Sequence, residues 1–258
     1  MPRLRATITS RLTGSLIQSH ASLKSLKRIE SEALARERAQ TDIDGDDPTT
    51  PPSGAALGKR SRNESVDFRG ERRGNATHGS TTDPDARLAR KGKNVGAFLC
   101  HSVHALTENR HGLVLAIAVA EANGRAEREC ALEMVDRVRQ EHHVRVATLG
   151  ADMGYDSGDF LVELKRRKIT AHVAIRSGTI VATDPAGRAR SAARTRQQHK
   201  AYATSQRRRK IVEEFFGWGK TISTMRRSKH IERFKIRQQA QRTAATYNLV
   251  RMCRLLAA

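Results

Sequence analysis

The sequence predicts an α/β protein in which a mixed β-sheet is flanked by helices. One observation is the order of the segments: three predicted strands come first, and helices then alternate with strands. A second is that each later strand is separated from the next by a helix, which is the crossover that parallel strands require. A third is the short apolar run Val144–Leu149, which has the composition of a buried strand.

The first three strands are predicted from apolar runs and a turn signal. We expect one strand over Thr7–Gln18, and two more over Phe98–Leu106 and Leu113–Ala120. The last two are separated by the sequence ENRHG, in which Asn109 and Gly112 favour a turn. A tight turn should therefore join the second and third strands.

The later elements are predicted from apolar faces and capping residues. Leu132, Val135 and Val138 share one side of a helical pattern, and Ser157 or Asp156 can cap the helix that follows. The predicted elements, in chain order, are a helix over Ala126–Gln140, the strand Val144–Leu149, a helix over 157–167, the strand Ala171–Ile175, a basic spacer, and helices over Arg207–Lys220 and Gln238–Leu256.

A long segment near the N-terminus is predicted to be a loop or disordered insertion. Residues Arg36–Lys93 lack sustained periodicity and are rich in proline and mixed charge, so they bury too little apolar area to offset the entropy of ordering. Asp83 and Asp85 are assigned to a turn before the second strand. The predicted division is an N-terminal remnant with the first strand (1–35), a linker (36–96) and a catalytic domain (97–258).

The charge of the chain predicts a polyanionic partner. Its 48 Lys and Arg residues exceed its 27 Asp and Glu residues, which gives a formal net charge of +21 and a pI near 11.0. Residues 207–237 alone carry eleven basic residues and three Glu. Clustered positive charge of this kind is typical of nucleic-acid binding.

Cysteine usage and hydropathy predict a cytoplasmic protein without a membrane partner. Cys100, Cys130 and Cys253 form no CxxC pair, which favours a reducing compartment. The longest apolar run, Leu113–Ala120, is too short to span a bilayer.

Two acidic positions point to chemistry on phosphate. Arg209, Glu213 and Lys220 have helical spacings of four and seven residues, which places an acid between two bases on one helix face. Asp152 follows the predicted strand Val144–Leu149. A carboxylate at a strand end and another on a helix flanked by cations can hold a divalent metal beside a phosphate. The pattern therefore indicates phosphoryl transfer on nucleic acid.

Four segments of the chain resemble the DDE transposases of bacterial insertion sequences, in the insertion sequence four and five group. They are STTDPDARLARKGK, HALTENRHGLV, GADMGYDSGDF and the Arg209–Glu213–Lys220 block. The resemblance runs from about Gly14 to the C-terminus. It implies a ribonuclease-H-like fold, two Mg²⁺ ions, DNA strand cleavage and strand transfer, DNA as partner, a possible homo-oligomer and a nucleoid-associated location.

The resemblance also implies roles for individual residues. Asp152 corresponds to the second catalytic acid and Glu213 to the third, and both would bind metal. Arg209 and Lys220 would contact DNA near the transposon end. The neighbouring bases Arg207, Arg208 and Lys210 are interpreted as further phosphate contacts, because they lie beside Glu213.

The sequence departs from the family pattern at the first acid. The family places an Asp before a Gly-Thr-Leu-Ile run, and here Thr13 precedes Gly14-Ser15-Leu16-Ile17. The signature tyrosine position is Gln206, and Gly219 lies inside the signature helix. The chain begins a dozen residues before Thr13, so we expect a truncated or degenerate copy with little cleavage activity. The alternatives are a non-catalytic DNA-binding remnant and a structural basic nucleic-acid protein.

Other candidate residues are interpreted as structural. Cys100, His101 and His104 lack a second ligand pair with metal-binding spacing. The aromatic residues Phe215, Phe216 and Trp218 are assigned to the core rather than to base stacking.

Overall fold

The structure is a computed structural model that describes residues 6–29, 73–92, 94–124, 126–208 and 210–257. In these ranges a central mixed sheet is flanked by helices, which confirms the predicted α/β class. The strands, in chain order, are β1 (Ala6–Gln18), β2 (Leu26–Arg28), β3 (His78–Ser80), β4 (Arg87–Ala89), β5 (Phe98–Glu108), β6 (Val114–Glu121), β7 (Val144–Ala151) and β8 (Thr170–Val173).

The central sheet combines antiparallel and parallel pairing. Its strand order is β4–β5–β1–β7–β8, and β6 also pairs with β5. β5 runs antiparallel to β1, β4 and β6, whereas β1, β7 and β8 run parallel. β2 and β3 form a separate two-stranded sheet. The later parallel strands, β7 and β8, are the ones for which the sequence predicts an intervening helix, because parallel strands require a crossover connection.

The helices cover both faces of this sheet. The helices of the described ranges are α1 (Ala126–His142), α2 (Gly158–Arg166), α3 (Pro185–Arg196), α4 (Lys200–Arg207), α5 (Lys210–Thr221) and α6 (Arg233–Leu256). Because side chains alternate along β1, Leu12 packs into a core with α1, α2 and α3, and Ile17 packs into a second core with α5 and α6.

The described part of the predicted linker is not a loop, and this expectation was wrong for residues 73–92. They contain β3 and β4, and β4 extends the central sheet by pairing with β5. Three-residue strands carry almost no periodic signal in the sequence. They are recognised only by their pairing with neighbouring strands in the structure. Asp83 does lie in a turn, as expected, but the strand that follows is the unpredicted β4, and the Asp83 side chain is fully buried. The rest of the linker, 30–72, lies outside the described residues.

The predicted spacer after β8 was also assigned wrongly, since it contains α3 and α4. Asp184 caps α3 by accepting a hydrogen bond from the Gly187 amide at 2.7 Å, and Pro185 occupies the first turn. This Asp-Pro start is a helix signal that the basic composition obscured. The predicted helix Arg207–Lys220 is divided, because Arg207 ends α4 and α5 begins at Lys210.

Gly219 has a packing role in α5. A Cβ at this position would lie 2.8 Å from Sδ of the buried Met225 and 3.4 Å from Cγ2 of Thr243 in α6. Glycine costs up to about 1 kcal/mol of helix propensity relative to alanine. The close approach of Met225 explains why a glycine occupies this position.

Candidate active site

Thr13 lies level with Asp152 on neighbouring parallel strands. Arg11 of β1 pairs with Gly150 of β7, and the same register continued by two residues places Thr13 opposite Asp152. Neighbouring strands lie about 4.8 Å apart, and residues two apart on a strand point to the same face. Extended two residues past its last pair, this register brings Thr13 to the level of Asp152 on the same face of the sheet.

Asp152 is fixed by a turn at the end of β7. Residues Met153–Tyr155 form a 3₁₀ turn, and Asp152 Oδ1 accepts a hydrogen bond from the Gly154 amide at 2.8 Å. The side chain is half-buried. This capping bond holds one carboxylate oxygen in place at the carboxyl end of the strand, where sites form in sheets of this kind.

Glu127, in the first turn of α1, is the carboxylate that approaches Asp152. Its Oε1 lies 3.2 Å from the position a Cβ would take on Gly14, and its Oε2 lies 3.7 Å from the corresponding position on Gly154. Asp152 Oδ1 lies 3.1 Å from that same point on Gly154. Burial, and then the negative charge of Asp152, raise the pKa of Glu127. The two carboxylates therefore interact.

Two buried polar atoms beside these carboxylates have no hydrogen-bond partner among the described residues. They are His104 Nδ1 and Tyr155 Oη. His104 Nδ1 lies 2.8 Å from the Cβ position on Gly14, which Glu127 Oε1 also borders. Burial raises the pKa of Tyr155 well above its ordinary value, and the charges of Glu127 and Asp152 add to this effect.

Lys220 of α5 contacts β1 close to Thr13. Its Nζ donates a hydrogen bond to Ser15 Oγ, two residues beyond Thr13 on β1. Burial lowers the pKa of Lys220, and the positive charges of Lys91 and Arg226 lower it further. Three cations thus gather near the end of β1, in an arrangement that an anion such as phosphate would stabilise.

Glu213 lies in the first turn of α5, with its side chain exposed. It precedes Lys220 by two helical turns, or about 10 Å along the axis, on the same side of the helix. The Lys220–Ser15 bond directs this side of α5 towards β1. The convergence of Glu213 with Asp152 on one metal stays a prediction.

The other basic residues predicted to contact DNA either lie at the end of α4 or have side chains outside the described residues. Arg209 and the side chain of Lys210 lie outside the described residues. Arg208 is exposed and donates to the Asn109 carbonyl at 2.8 Å, and Arg207 is exposed and lies 3.4 Å from Thr204 Oγ1. Both arginines belong to the end of α4 rather than to the helix that carries Glu213.

The described residues do not fit the two-ion site that the resemblance implies. They contain no group of three or more His, Cys, Asp or Glu side chains that could hold a metal ion. Thr13 contributes a neutral hydroxyl where the resemblance implies the first acid. A pair of divalent ions at this point would lack the negative charge that normally balances it.

The residues interpreted as structural are buried as expected. Phe215 and Phe216 lie in the core, and Trp218 packs against it, which confirms their assignment. His101 and His104 are completely buried in β5. His101 pairs with Asp83, whereas His104 borders Glu127.

Comparison with known proteins identifies the family. The sequence model described as Transposase DDE domain matches residues 40–249, which is most of the chain. The chain therefore belongs to the transposase DDE domain family, whose members carry out phosphoryl transfer on DNA. This match confirms the resemblance to DDE transposases that the sequence shows. The matched range includes Glu127, Asp152 and Glu213 but begins after Thr13.

Comparison with curated proteins and with solved structures gave no match. Across the described part of the chain, no helix has the length and apolar character needed to cross a bilayer.

Sequence reasoning did not identify Glu127. Its signal was an acidic residue in the first turn of the helix that follows the third predicted strand. Acids are common in first turns because they complement the helix dipole, so the position alone does not distinguish a site residue. The approach to Gly14 and Gly154 distinguishes it, and that depends on the tertiary structure.

Proposed function

We propose that the chain is a DDE transposase of a bacterial insertion sequence, with a ribonuclease-H-like fold, and that its DNA strand cleavage is impaired. The observation that supports the proposal is the register of β1 and β7, which ends at the pair Arg11–Gly150 and, continued by two residues, leads to Thr13 and Asp152. In the family pattern an acid would precede the Gly14-Ser15-Leu16-Ile17 run. A threonine hydroxyl cannot replace the charge of that acid, so cleavage should be weak or absent.

The strand order supports the ribonuclease-H-like assignment. Three antiparallel strands, β6, β5 and β1, are followed across the sheet by β7 and β8, which run parallel to β1. Helices join β6 to β7 and β7 to β8. Along the chain, the helices that alternate with β7 and β8 follow the order that the resemblance implied.

DNA binding is the part of the function that the charge distribution supports most strongly. Lys220, Lys91 and Arg226 gather at the end of β1, and the whole chain has a formal charge of +21. Burial lowers the pKa of Lys220 most, and a phosphate placed there would offset the repulsion by Lys91 and Arg226 that lowers it further. Arg207 and Arg208 add further positive charge at the end of α4, and Arg209 and Lys210 follow them in the sequence.

A nicking assay tests the catalytic proposal. A supercoiled plasmid is incubated with the full chain and Mg²⁺ or Mn²⁺, and the Asp152→Asn variant serves as background. We expect the unaltered chain to nick no faster than this variant. Robust, Asp152-dependent nicking would contradict the proposed impairment, because it would show that the site functions without a first acid at residue 13.

A salt titration tests DNA binding. The affinity for a short duplex should fall by two or more orders of magnitude between about 50 and about 200 mM salt, because bound phosphates release counterions. An affinity that barely changes with salt would contradict binding through phosphate contacts. Strong, salt-dependent binding without nicking also matches the second candidate, a non-catalytic DNA-binding remnant, which the absent acid at Thr13 favours.

A further inference from the structure

We propose that Glu127 and Asp152 together bind one divalent cation beside Gly14 and Gly154. Glu127 would thereby supply the second carboxylate that Thr13 does not. This inference deepens the proposed function. It rests on that function for one ligand only, because a DNA phosphate would complete the coordination of the cation. It differs from the assignment by resemblance, in which Glu213 is the partner of Asp152.

The Glu127 carboxylate lies close to Asp152 and to two glycines. Its two oxygens lie close to two glycines, Oε1 to Gly14 in β1 and Oε2 to Gly154 in the turn that follows β7. The point over Gly154 is also bordered by Asp152 Oδ1 at 3.1 Å. Oxygens of both acids therefore face one small space at the carboxyl end of β7.

Gly14 leaves room for the Glu127 carboxylate at the edge of β1. A Cβ on Gly14 would lie 2.8 Å from His104 Nδ1 and 3.2 Å from Glu127 Oε1, closer than ordinary contacts allow. Any larger residue at this position would push the imidazole or the carboxylate away. Gly14 thus permits an acid from α1 to reach the edge of β1.

Buried polar atoms provide a second, independent observation. His104 is fully buried, its Nε2 shares a hydrogen bond with Ser102 Oγ at 2.8 Å, and its Nδ1 has no partner among the described residues. Nδ1 faces the space beside Glu127 Oε1. Unsatisfied polar atoms are costly in a core, and a carboxylate or a metal-bound water at this place would satisfy His104.

The chemistry of the two acids favours a hard cation. Carboxylate oxygens suit Mg²⁺ and Mn²⁺, and Mg²⁺ is commonly held by one or two carboxylates together with waters and phosphate oxygens. Glu127 and Asp152 are each half-buried, so water and a ligand can reach them. Two neighbouring carboxylates repel each other, and a divalent cation between them removes the repulsion.

Metal binding tests the inference without relying on cleavage. Mn²⁺ binding to the full chain is measured by calorimetry and by electron paramagnetic resonance for the unaltered protein and for Glu127→Gln and Asp152→Asn. We expect one Mn²⁺ per chain, and each substitution should weaken binding by about tenfold or more. The matched control is Glu129→Gln, which removes an exposed acid from the same helical turn and should leave the affinity unchanged.

Three outcomes would overturn the inference. They are an unaltered chain that binds no Mn²⁺ at millimolar concentration, a Glu127→Gln variant that binds as tightly as the unaltered chain, and an equal loss in Glu129→Gln. A Glu213→Gln variant is included, and a loss there without a loss in Glu127→Gln would favour the family assignment instead. Circular dichroism establishes that each variant is folded.

DNA binding in the presence of a chelator separates this inference from the proposed function. If DNA binding fails while Glu127-dependent Mn²⁺ binding is present, the proposed function is wrong and the cation site stands. If DNA binds in a salt-dependent manner while no Mn²⁺ binds, the cation site is wrong and the DNA-binding function stands.

Discussion

His101 Nε2 and Asp83 Oδ2 lie 2.8 Å apart, and both side chains are completely buried. Ser19 Oγ donates to the same Asp83 oxygen at 2.6 Å, and the Glu232 amide approaches Asp83 Oδ1 at 3.4 Å. One carboxylate thus connects β5, the end of β1 and the start of α6. Burial alone would raise the pKa of Asp83, but its hydrogen bonds with His101 and Ser19 outweigh burial and lower it.

Asp83→Asn should destabilise the protein by about 3 kcal/mol, because it leaves His101 in the core without its charged partner. The control is Asp85→Asn, whose ion pair with Arg233 is 3.5 Å long and partly exposed. Its loss should cost no more than about 1 kcal/mol. Urea unfolding at neutral pH measures both. Equal effects of the two substitutions would show that the buried pair has no special role.

The stability of the protein should fall as the pH decreases from about 6.5 towards 4, partly because of His104. Burial lowers the pKa of His104 to about 4. The unfolded chain therefore binds a proton in this range that the folded chain does not, which favours unfolding by up to about 3 kcal/mol at the acidic end. Below pH 4 both states are protonated and this contribution stays constant.

The His104→Gln variant measures this contribution. The difference in unfolding free energy between the unaltered protein and the variant should shrink as the pH falls from 6.5 to 4. The exposed His20→Gln substitution is the control. A His104→Gln difference that does not change with pH would show that His104 titrates normally in the folded state.

Thr13→Asp should increase metal-dependent nicking by at least about tenfold, because it restores a carboxylate beside Asp152. Plasmid nicking with Mn²⁺ measures the gain. Thr7→Asp adds the same charge to the same strand at an exposed position and should have no effect. If the two variants behave alike, residue 13 does not occupy the position of the first acid.

Lys220→Gln should weaken DNA binding and reduce the slope of log affinity against log salt by about one. The reason is that Lys220 is half-buried near Lys91 and Arg226, where a bound phosphate would be strongly attracted. Lys165→Gln removes an exposed lysine from α2, which packs on the opposite face of the sheet from α5. This control should change neither the affinity at a fixed salt concentration nor the slope.

Most of the elements around the site could be predicted from the sequence. The strands β1, β5, β6 and β7 and the helix α1 lie within a few residues of their predicted ranges. Long strands and amphipathic helices carry strong periodic signals, and the turn at Asn109–Gly112 carries its own. By contrast, β3 and β4 are only three residues long, and their strand character depends on β2 and β5.

The α/β class, the excess of positive charge and the family are determined by the sequence itself, since each follows from the identity and spacing of residues along the chain. The presence of a threonine at residue 13, directly before Gly14, is also a property of the sequence itself. Only the tertiary structure decided that Glu127 approaches Asp152, because that proximity depends on how α1 packs over the sheet. The register of β1 and β7, and the absence of side chains on Gly14 and Gly154, create the space in which these two acids meet.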